Sequence, residues 1–521
     1  MQNKILSSKS HKESHQIVPL KKPYLSNPVL KFRSGHKDIS RLLKTQNKHF
    51  LEMAFFFQTY SESYNKRLLK LCDKYPKNLR WLQHLSFQEG FSTELAITNI
   101  LRIRKCLQAA QSLTHLEISG SSLNQVWTLA PFFKTLKQLG FLSLDLRNFT
   151  ENPFGNKFFS SLKALKGLRE IRFGVQPREK LPPGTFEKLN AGLNRLKALH
   201  SINFDFRGLD LADKQEFFFD FRALKSLSAL TLTLSRIEGL DDKSLGNIAQ
   251  SLKQVPKLER FEIDLYYCPQ ITNEGVEILS SSFPLDLKSL KINLGCCEQV
   301  KEKGRQSLFC SIGKISLLEQ LSLWLCSENK MENEGLLDLN LCLSGLKRLK
   351  SFELSFMNTS EDFEIHDLVF NEFLYVLGSK TALKNLALHF SSTGIHLVND
   401  KRLEKFGNAL ANLKRIENLE LNFSWHSFDD ATLELFSDKL KSFEKLQTLS
   451  LDFSNSRELH KAKTLERFIK NLEKLKGLRK ATLNFEYCDR LNGEEVEKIL
   501  PNPKSLKFDL SVLYENAMYP S

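Results

Sequence analysis

Lys257-Leu-Glu-Arg-Phe-Glu-Ile-Asp-Leu-Tyr-Tyr-Cys268-Pro-Gln-Ile-Thr-Asn-Glu-Gly-Val-Glu-Ile-Leu279 is the stretch whose reading decides the fold. Phe261, Ile263 and Leu265 alternate, which predicts a short strand with one buried face. Cys268 and Ile271 point back inward through a turn. Asn273 then sits where a helix N-cap belongs, before Val276 and Leu279 at helical spacing. One strand, one turn and one helix cannot bury their apolar faces alone, so neighbours of the same kind are required.

Those neighbours are present. The pattern Leu113-x-x-Leu116-x-Ile118 recurs as Leu139-x-x-Leu142-x-Leu144, Leu168-x-x-Ile171-x-Phe173 and Leu199-x-x-Ile202-x-Phe204. It continues through Leu287-x-x-Leu290-x-Ile292 and Leu318-x-x-Leu321-x-Leu323 to Leu478-x-x-Ala481-x-Leu483. Leu82-x-x-Leu85-x-Phe87 reads as a first copy, and Leu506-x-Phe508-x-Leu510 as a closing strand. The period is roughly 30 residues, in the range of solenoid repeats.

The chain resembles leucine-rich repeat proteins, of the ribonuclease-inhibitor-like and cysteine-containing classes. The resemblance implies an α/β solenoid: a curved horseshoe with a parallel inner β-sheet, outer helices and a short helical N-terminal cap. Two departures stand out. Most strands carry an extra inward residue, such as Phe206, Leu234, Leu294, Phe423 and Phe453. The Asn expected after the strand is replaced by Cys, Leu, Phe or His, so the turns must satisfy their backbone polar groups otherwise.

A solenoid overrides the several domains that 521 residues would otherwise suggest. Three segments are expected: 1–35 a basic disordered tail, 36–78 a helical cap, and 79–521 the repeats. Residues 1 to 50 hold eleven Lys or Arg against Glu13 and Asp38, and so most of the formal charge of +15; Pro19, Pro23 and Pro28 stand among the lysines of the tail. It reads as a solvated tail, a contact for an acidic or nucleic-acid partner, or an address. Residues 38 to 73 show helical apolar spacing through Ile39, Leu42, Phe50, Leu51, Ala54, Phe55, Phe57 and Leu68. An F-box would suit that place, but its Leu-Pro start and Trp-bearing helix are absent. Further helix starts are marked by Asp241 or Asp242, Asp429 or Asp430, and Asn492. Loops expand at Asn358 to Asp367 and at Ser391 to Lys401.

No run approaches the roughly 18 apolar residues of a membrane span, and no secretory signal is visible. Nine cysteines without a CxxC pair fit a reduced, cytoplasmic setting, with a nuclear one open through the basic tail. Cys268, Cys297 and Cys488 share one inward repeat position and read as small buried side chains. No phosphate-binding glycine loop, nucleophile elbow or metal-ligand spacing is found. The chain is therefore read as a non-enzyme without cofactor or metal.

The informative surface is the inner face of the sheet, where equivalent positions stack into ladders. These ladders are polar, and acids outnumber bases. Trp324 faces outward by alternation, away from Leu323 and Leu325; the alternative is that it lies flat on a neighbouring strand. Exposed Trp and Tyr recur in binding hot spots. The candidate partner-binding residues are Asp205, Glu262, Asp264, Tyr266, Asn293, Trp324, Glu353, His389, Glu420, Asn422 and Trp425. The expected function is a protein-interaction scaffold, monomeric by itself, for a partner with a basic or polar patch. The alternatives are a ubiquitin-ligase substrate receptor, or nucleic-acid binding through the basic tail.

Overall fold

The computed structural model describes residues 52–57, 82–89, 104, 107–108, 110–119, 126–147, 156–176, 184–211, 217–325, 333–356, 365–391, 400–426, 428–456, 458–459, 461–488, 490–501 and 506–514. Among the described residues sixteen strands form one sheet in chain order, every neighbouring pair parallel. They are β1 Glu52–Phe57, β2 His84–Glu89, β3 His115–Ser119, β4 Phe141–Arg147, β5 Glu170–Gln176, β6 Ser201–Asp205, β7 Ala229–Thr233 and β8 Arg260–Asp264. Then follow β9 Ser289–Asn293, β10 Gln320–Trp324, β11 Ser351–Ser355, β12 Asn385–His389, β13 Asn418–Asn422, β14 Thr448–Asp452, β15 Lys480–Asn484 and β16 Asp509–Leu513. This is a leucine-rich repeat solenoid.

Within each strand the pattern residues lie in register: Leu230 beside Phe261, Leu290, Leu321 and Phe352 in turn. All are buried, as are the extra inward residues Phe206, Leu234, Leu294, Phe356, Phe423, Phe453 and Phe485. Helices such as Asp242–Leu252, Asn273–Ser280 and Asp430–Leu440 bury their apolar stripes against this layer. Strands sit about 4.8 Å apart whereas packed helices need about 8–10 Å. That mismatch bends the stack with the sheet on the inner, concave side.

The turn leaving each strand has a repeated construction. The last strand residue is often Asp or Asn, and its side chain accepts from the N–H two residues on. Asp264 accepts from Tyr266, Asn293 from Gly295, Asn422 from Ser424, Asp452 from Ser454 and Asn484 from Glu486, all at 2.9–3.0 Å. Three residues past the strand the backbone turns left-handed, at Gly208, Arg236, Tyr267, Cys296, Trp425, Asn455 and Tyr487. The next residue is buried in each, and where it is Cys, His or Ser it bonds to the preceding repeat. Cys268 Sγ donates to the Leu234 carbonyl (3.3 Å), Cys297 Sγ to Leu265 (3.0 Å) and Cys488 Sγ to Phe453 (3.4 Å). His426 Nε2 meets the Phe390 carbonyl at 2.7 Å. The cysteines are therefore more than small apolar fillers: with His426 they do what a continuous Asn ladder would do.

Several expectations are corrected. Glu52–Phe57 is a strand, not part of a helix, and Met53 and Phe55 pair with Leu85 and Phe87. The run Ala54-Phe55-Phe56-Phe57 is apolar on both faces, so periodicity could not separate strand from helix. The rest of 36–78, the tail 1–35 and the two loop expansions, apart from their end residues, lie outside the described residues. The closing strand begins at Asp509, and its Leu510 and Val512 pair with Ala481 and Leu483. Asn273 does not cap its own helix; Thr272 does, through the Glu274 N–H at 3.2 Å. Asp241, Asp429 and Asn492 cap as expected.

Between β6 and β7 the described residues carry no helix. The segment Phe217–Phe221 there is neither helix nor strand. It buries Phe217, Phe219 and Phe221 against Phe186, Phe204 and Phe206. Asn190 from the helix before donates to the Phe218 carbonyl (3.2 Å) and accepts from the Asp220 N–H (3.0 Å). Asn247 and Ser251 from the helix after donate to the carbonyls of Phe217 and Phe219. Side chains of the flanking helices thus satisfy a backbone that has no ladder of its own.

Candidate interaction site on the concave face

The open face of β8 to β12 presents two rows of side chains. The middle row reads Glu262, Lys291, Ser322, Glu353 and Ala387, and the end row Asp264, Asn293, Trp324, Ser355 and His389. Ser355 is small and buried, which leaves room for the Trp324 indole to lie across β11. There Trp324 Nε1 donates to Glu353 Oε1 at 2.9 Å, and Ser322 Oγ donates to Glu353 Oε2 at 2.8 Å. On the far side the indole meets the His389 ring, with centroids 5.8 Å apart. Trp324 is half-buried and tied to Glu353, not free-standing.

Toward β8 the indole walls a cavity of about 250 Å³. Glu262, Asp264, Lys291, Asn293, Ser322 and Glu353 line it, over Ile263 and Ile292. Three carboxylates face one ammonium. Burial holds the Asp264 carboxyl above its ordinary value, against the Tyr266 N–H, which pulls the other way. The Tyr266 ring covers Gly295, where a methyl group would come within 2.9 Å of Cδ2. The Arg236 guanidinium lies 5.8 Å from its centroid. A hydrogen bond with Cys296 and that thiol's field raise the Tyr266 phenol above its usual value.

Of the eleven candidates, the structure brings Glu262, Asp264, Asn293, Trp324 and Glu353 together around this cavity, with His389 behind the indole. Asp205 lies two strands before Asp264 and is occupied by Arg207, at 2.8 Å. Glu420, Asn422 and Trp425 belong to β13 and its turn, outside the cavity. Trp425 is 61% exposed, in the left-handed position with φ 68°. Asp264, Asn293 and Asn422 each commit one side-chain oxygen to a turn, so part of their presence is structural.

Sequence reading missed three features. Lys291 and Ser322 stood in the ladder but were not singled out. Glu259–Lys288 (2.7 Å), Glu319–Lys350 (2.7 Å) and Lys384–Glu417 (2.8 Å) form cross-strand ion pairs just before the strands. His84, His115 and Phe141 stack across β2, β3 and β4, with the Arg172 guanidinium 5.2 Å from the Phe141 centroid. Residues in equivalent strand positions stack automatically, so counting the register would have found both. A larger depression of about 470 Å³ opens at the opposite rim, lined by His200, Lys257, Glu259, Asp286 and Lys288. The Lys288–Glu259 pair already neutralises part of its charge, so it offers a partner less. Among the described residues no cluster of His, Cys, Asp or Glu could hold a metal, and no helix is long and apolar enough to cross a membrane.

No family model matches the chain, and no curated protein matches it. Solved structures similar to it include the mouse RP105/MD-1 complex, at 14% identity and a TM-score of 0.39, covering 89% of this chain and 79% of that one. The yeast Rad7 and Elc1 complex matches at 14% identity and a TM-score of 0.39, covering 82% and 80%. The TLR13–ssRNA13 complex matches at 16% identity and a TM-score of 0.34, covering 80% of this chain. The chain spans 60% of the length of that last one. At such identities the likeness concerns the fold alone.

Proposed function

We propose that this chain is a non-catalytic scaffold that holds a protein partner on its concave face, at the cavity walled by Trp324. One observation supports this above others. An aromatic ring on the open face is pinned by Glu353 beside Asp264 and Glu262, in a surface where acids outnumber bases. Preorganised aromatic side chains are the usual anchors of protein interfaces. Carboxylates around them select a partner with a basic or polar patch and repel nucleic-acid phosphates.

The repeats are of the ribonuclease-inhibitor-like, cysteine-containing kind, a reading supported by the shared position of Cys268, Cys297 and Cys488. The repeats from residue 79 to 521 form the binding unit; the preceding 78 residues act as cap and basic tail. A cytoplasmic setting, with nuclear access through the tail, suits the unpaired thiols.

The test is a quantitative pull-down from native extract with the full-length chain, read by mass spectrometry. A partner retained by the wild type should be lost with Trp324→Ala/Asp264→Lys. It should be kept with Leu368→Ala, whose side chain is exposed on the outer helix layer. Equal retention by all three proteins removes the concave-face reading.

A further inference from the structure

The cavity has a geometry narrower than a general acidic surface. Asp264, Asn293 and Trp324 stand side by side at the ends of β8, β9 and β10. Asp264 and Trp324 are thus two strand spacings apart, about 9.5 Å at the backbone. Between them Asn293 keeps low, its Oδ1 tied to the Gly295 N–H at 2.9 Å. The indole is held by Nε1 and cannot swing into the gap without losing Glu353. Ile263 and Ile292 floor the space. A flat cationic group fits this slot, with a ring on one side and a carboxylate on the other.

We propose that the cavity seats the guanidinium of a single arginine side chain of the partner, stacked on the Trp324 indole and paired with the Asp264 carboxylate. The inference rests on the reading of the concave face as the partner-binding surface, and names what that surface grips. Arginine suits the slot better than lysine. Its planar fork stacks on aromatic rings and meets carboxylates through two parallel N–H donors, whereas an ammonium is compact and strongly hydrated. Cation–π contact is strongest over indole. Glu262 adds negative potential at the mouth. Lys291, on the strand between, is the resident cation and competes for the same field. The carboxylates are too dispersed to hold a metal instead.

The probe is N-acetyl-arginine methylamide, with the citrulline analogue as its uncharged isostere. Full-length protein is labelled with 5-fluorotryptophan, which gives four signals, for Trp81, Trp127, Trp324 and Trp425. Trp324→Phe assigns the relevant one. The arginine probe should shift the Trp324 signal saturably, and citrulline should not. Asp264→Asn, which keeps the oxygen that accepts from Tyr266, should weaken the probe by about tenfold. Lys291→Ala should tighten it, an effect that a merely structural lysine would not produce. An unsaturable shift, an equal response to citrulline, or an unchanged affinity in both variants overturns the inference. If the probe is silent while Trp324→Ala still abolishes partner retention, the arginine seat falls and the scaffold reading stands. If the probe binds as expected while retention is unaffected by the concave-face variants, the scaffold reading falls alone.

Discussion

The side-chain oxygen of Asn273 lies 3.0 Å from the backbone nitrogen of Gly304, in the next repeat, and 2.7 Å from that of Lys301. It therefore caps the neighbouring helix rather than its own. The same forward reach joins Asp242 to Thr272 (2.8 Å), Asn333 to His366 (2.8 Å) and Asp430 to Lys461 (3.2 Å). These four repeats satisfy backbone N–H groups at the helix starts of their successors. Cohesion between repeats is thus polar on the outside as well as apolar within.

Gly304→Ala should disturb this joint. A methyl there would sit 2.8 Å from Asn273 Oδ1 and 3.1 Å from its Cα. A destabilisation of roughly 1–3 kcal/mol is expected, read as a lower urea midpoint. The cost should shrink in an Asn273→Ala background, because the clashing atom is gone. Strictly additive costs would show that the two residues do not interact.

Asn190→Ala should loosen the segment Phe217–Phe221. It removes the partner of both the Phe218 carbonyl and the Asp220 N–H. Losing two bonds to a half-buried backbone costs about 1–3 kcal/mol. Hydrogen exchange at Asp220 should accelerate while that of distant β14 amides stays unchanged. Unaltered exchange at Asp220 would mean that the Phe side chains alone hold the segment.

Cysteine chemistry should divide by burial. Burial pushes the thiols of Cys268, Cys297 and Cys342 up from 9.0 to about 11, 12 and 12. A thiol-alkylating reagent at neutral pH should modify exposed Cys310 in the native protein and leave those three until it unfolds. Because the folded values are raised, the unfolded chain loses its thiol protons first as pH rises, and this ionisation draws the equilibrium toward the unfolded state. Stability is undiminished below about pH 9 and falls as pH rises toward 12. Peptide mapping of the labelled protein and urea midpoints at pH 7.5 and 10 would check both, with a smaller alkaline loss expected in the Cys→Val variants of these sites.

Trp425→Gly separates stability from binding. Trp425 sits at φ 68°, in the conformation that Gly208 adopts in an equivalent turn, and it is 61% exposed. Relief of the left-handed strain is worth about 1 kcal/mol, partly offset by the freedom glycine adds to the unfolded chain. The melting temperature should hold steady or rise slightly. A marked fall would show that the ring packs usefully at home, and Trp425 would leave the set of candidate contacts.

Much of this was legible in the residues themselves. Leu116, Leu230 and Leu321 fix strands because their spacing recurs in every turn of the solenoid, and a periodic burial requirement survives changes in any one copy. For the same reason Glu262, Asp264, Asn293, Trp324 and Glu353 could be put on one face by counting alone. Where the period was ambiguous, as at Ala54 to Phe57, or where described residues are neither helix nor strand, as at Phe217 to Phe221, local pattern was not enough.

Sequence by itself determined the repeat, its parallel sheet and the polar character of the inner face, since these follow from alternation within about six residues and repetition between copies. Tertiary structure alone decided that Trp324 lies across β11 onto Glu353, that Asn273 serves the next helix, and that Cys268, Cys297 and His426 replace an Asn ladder. Each of those is a contact between residues some 30 positions apart. Their geometry depends on how one repeat is stacked on the next, a quantity that no single repeat encodes.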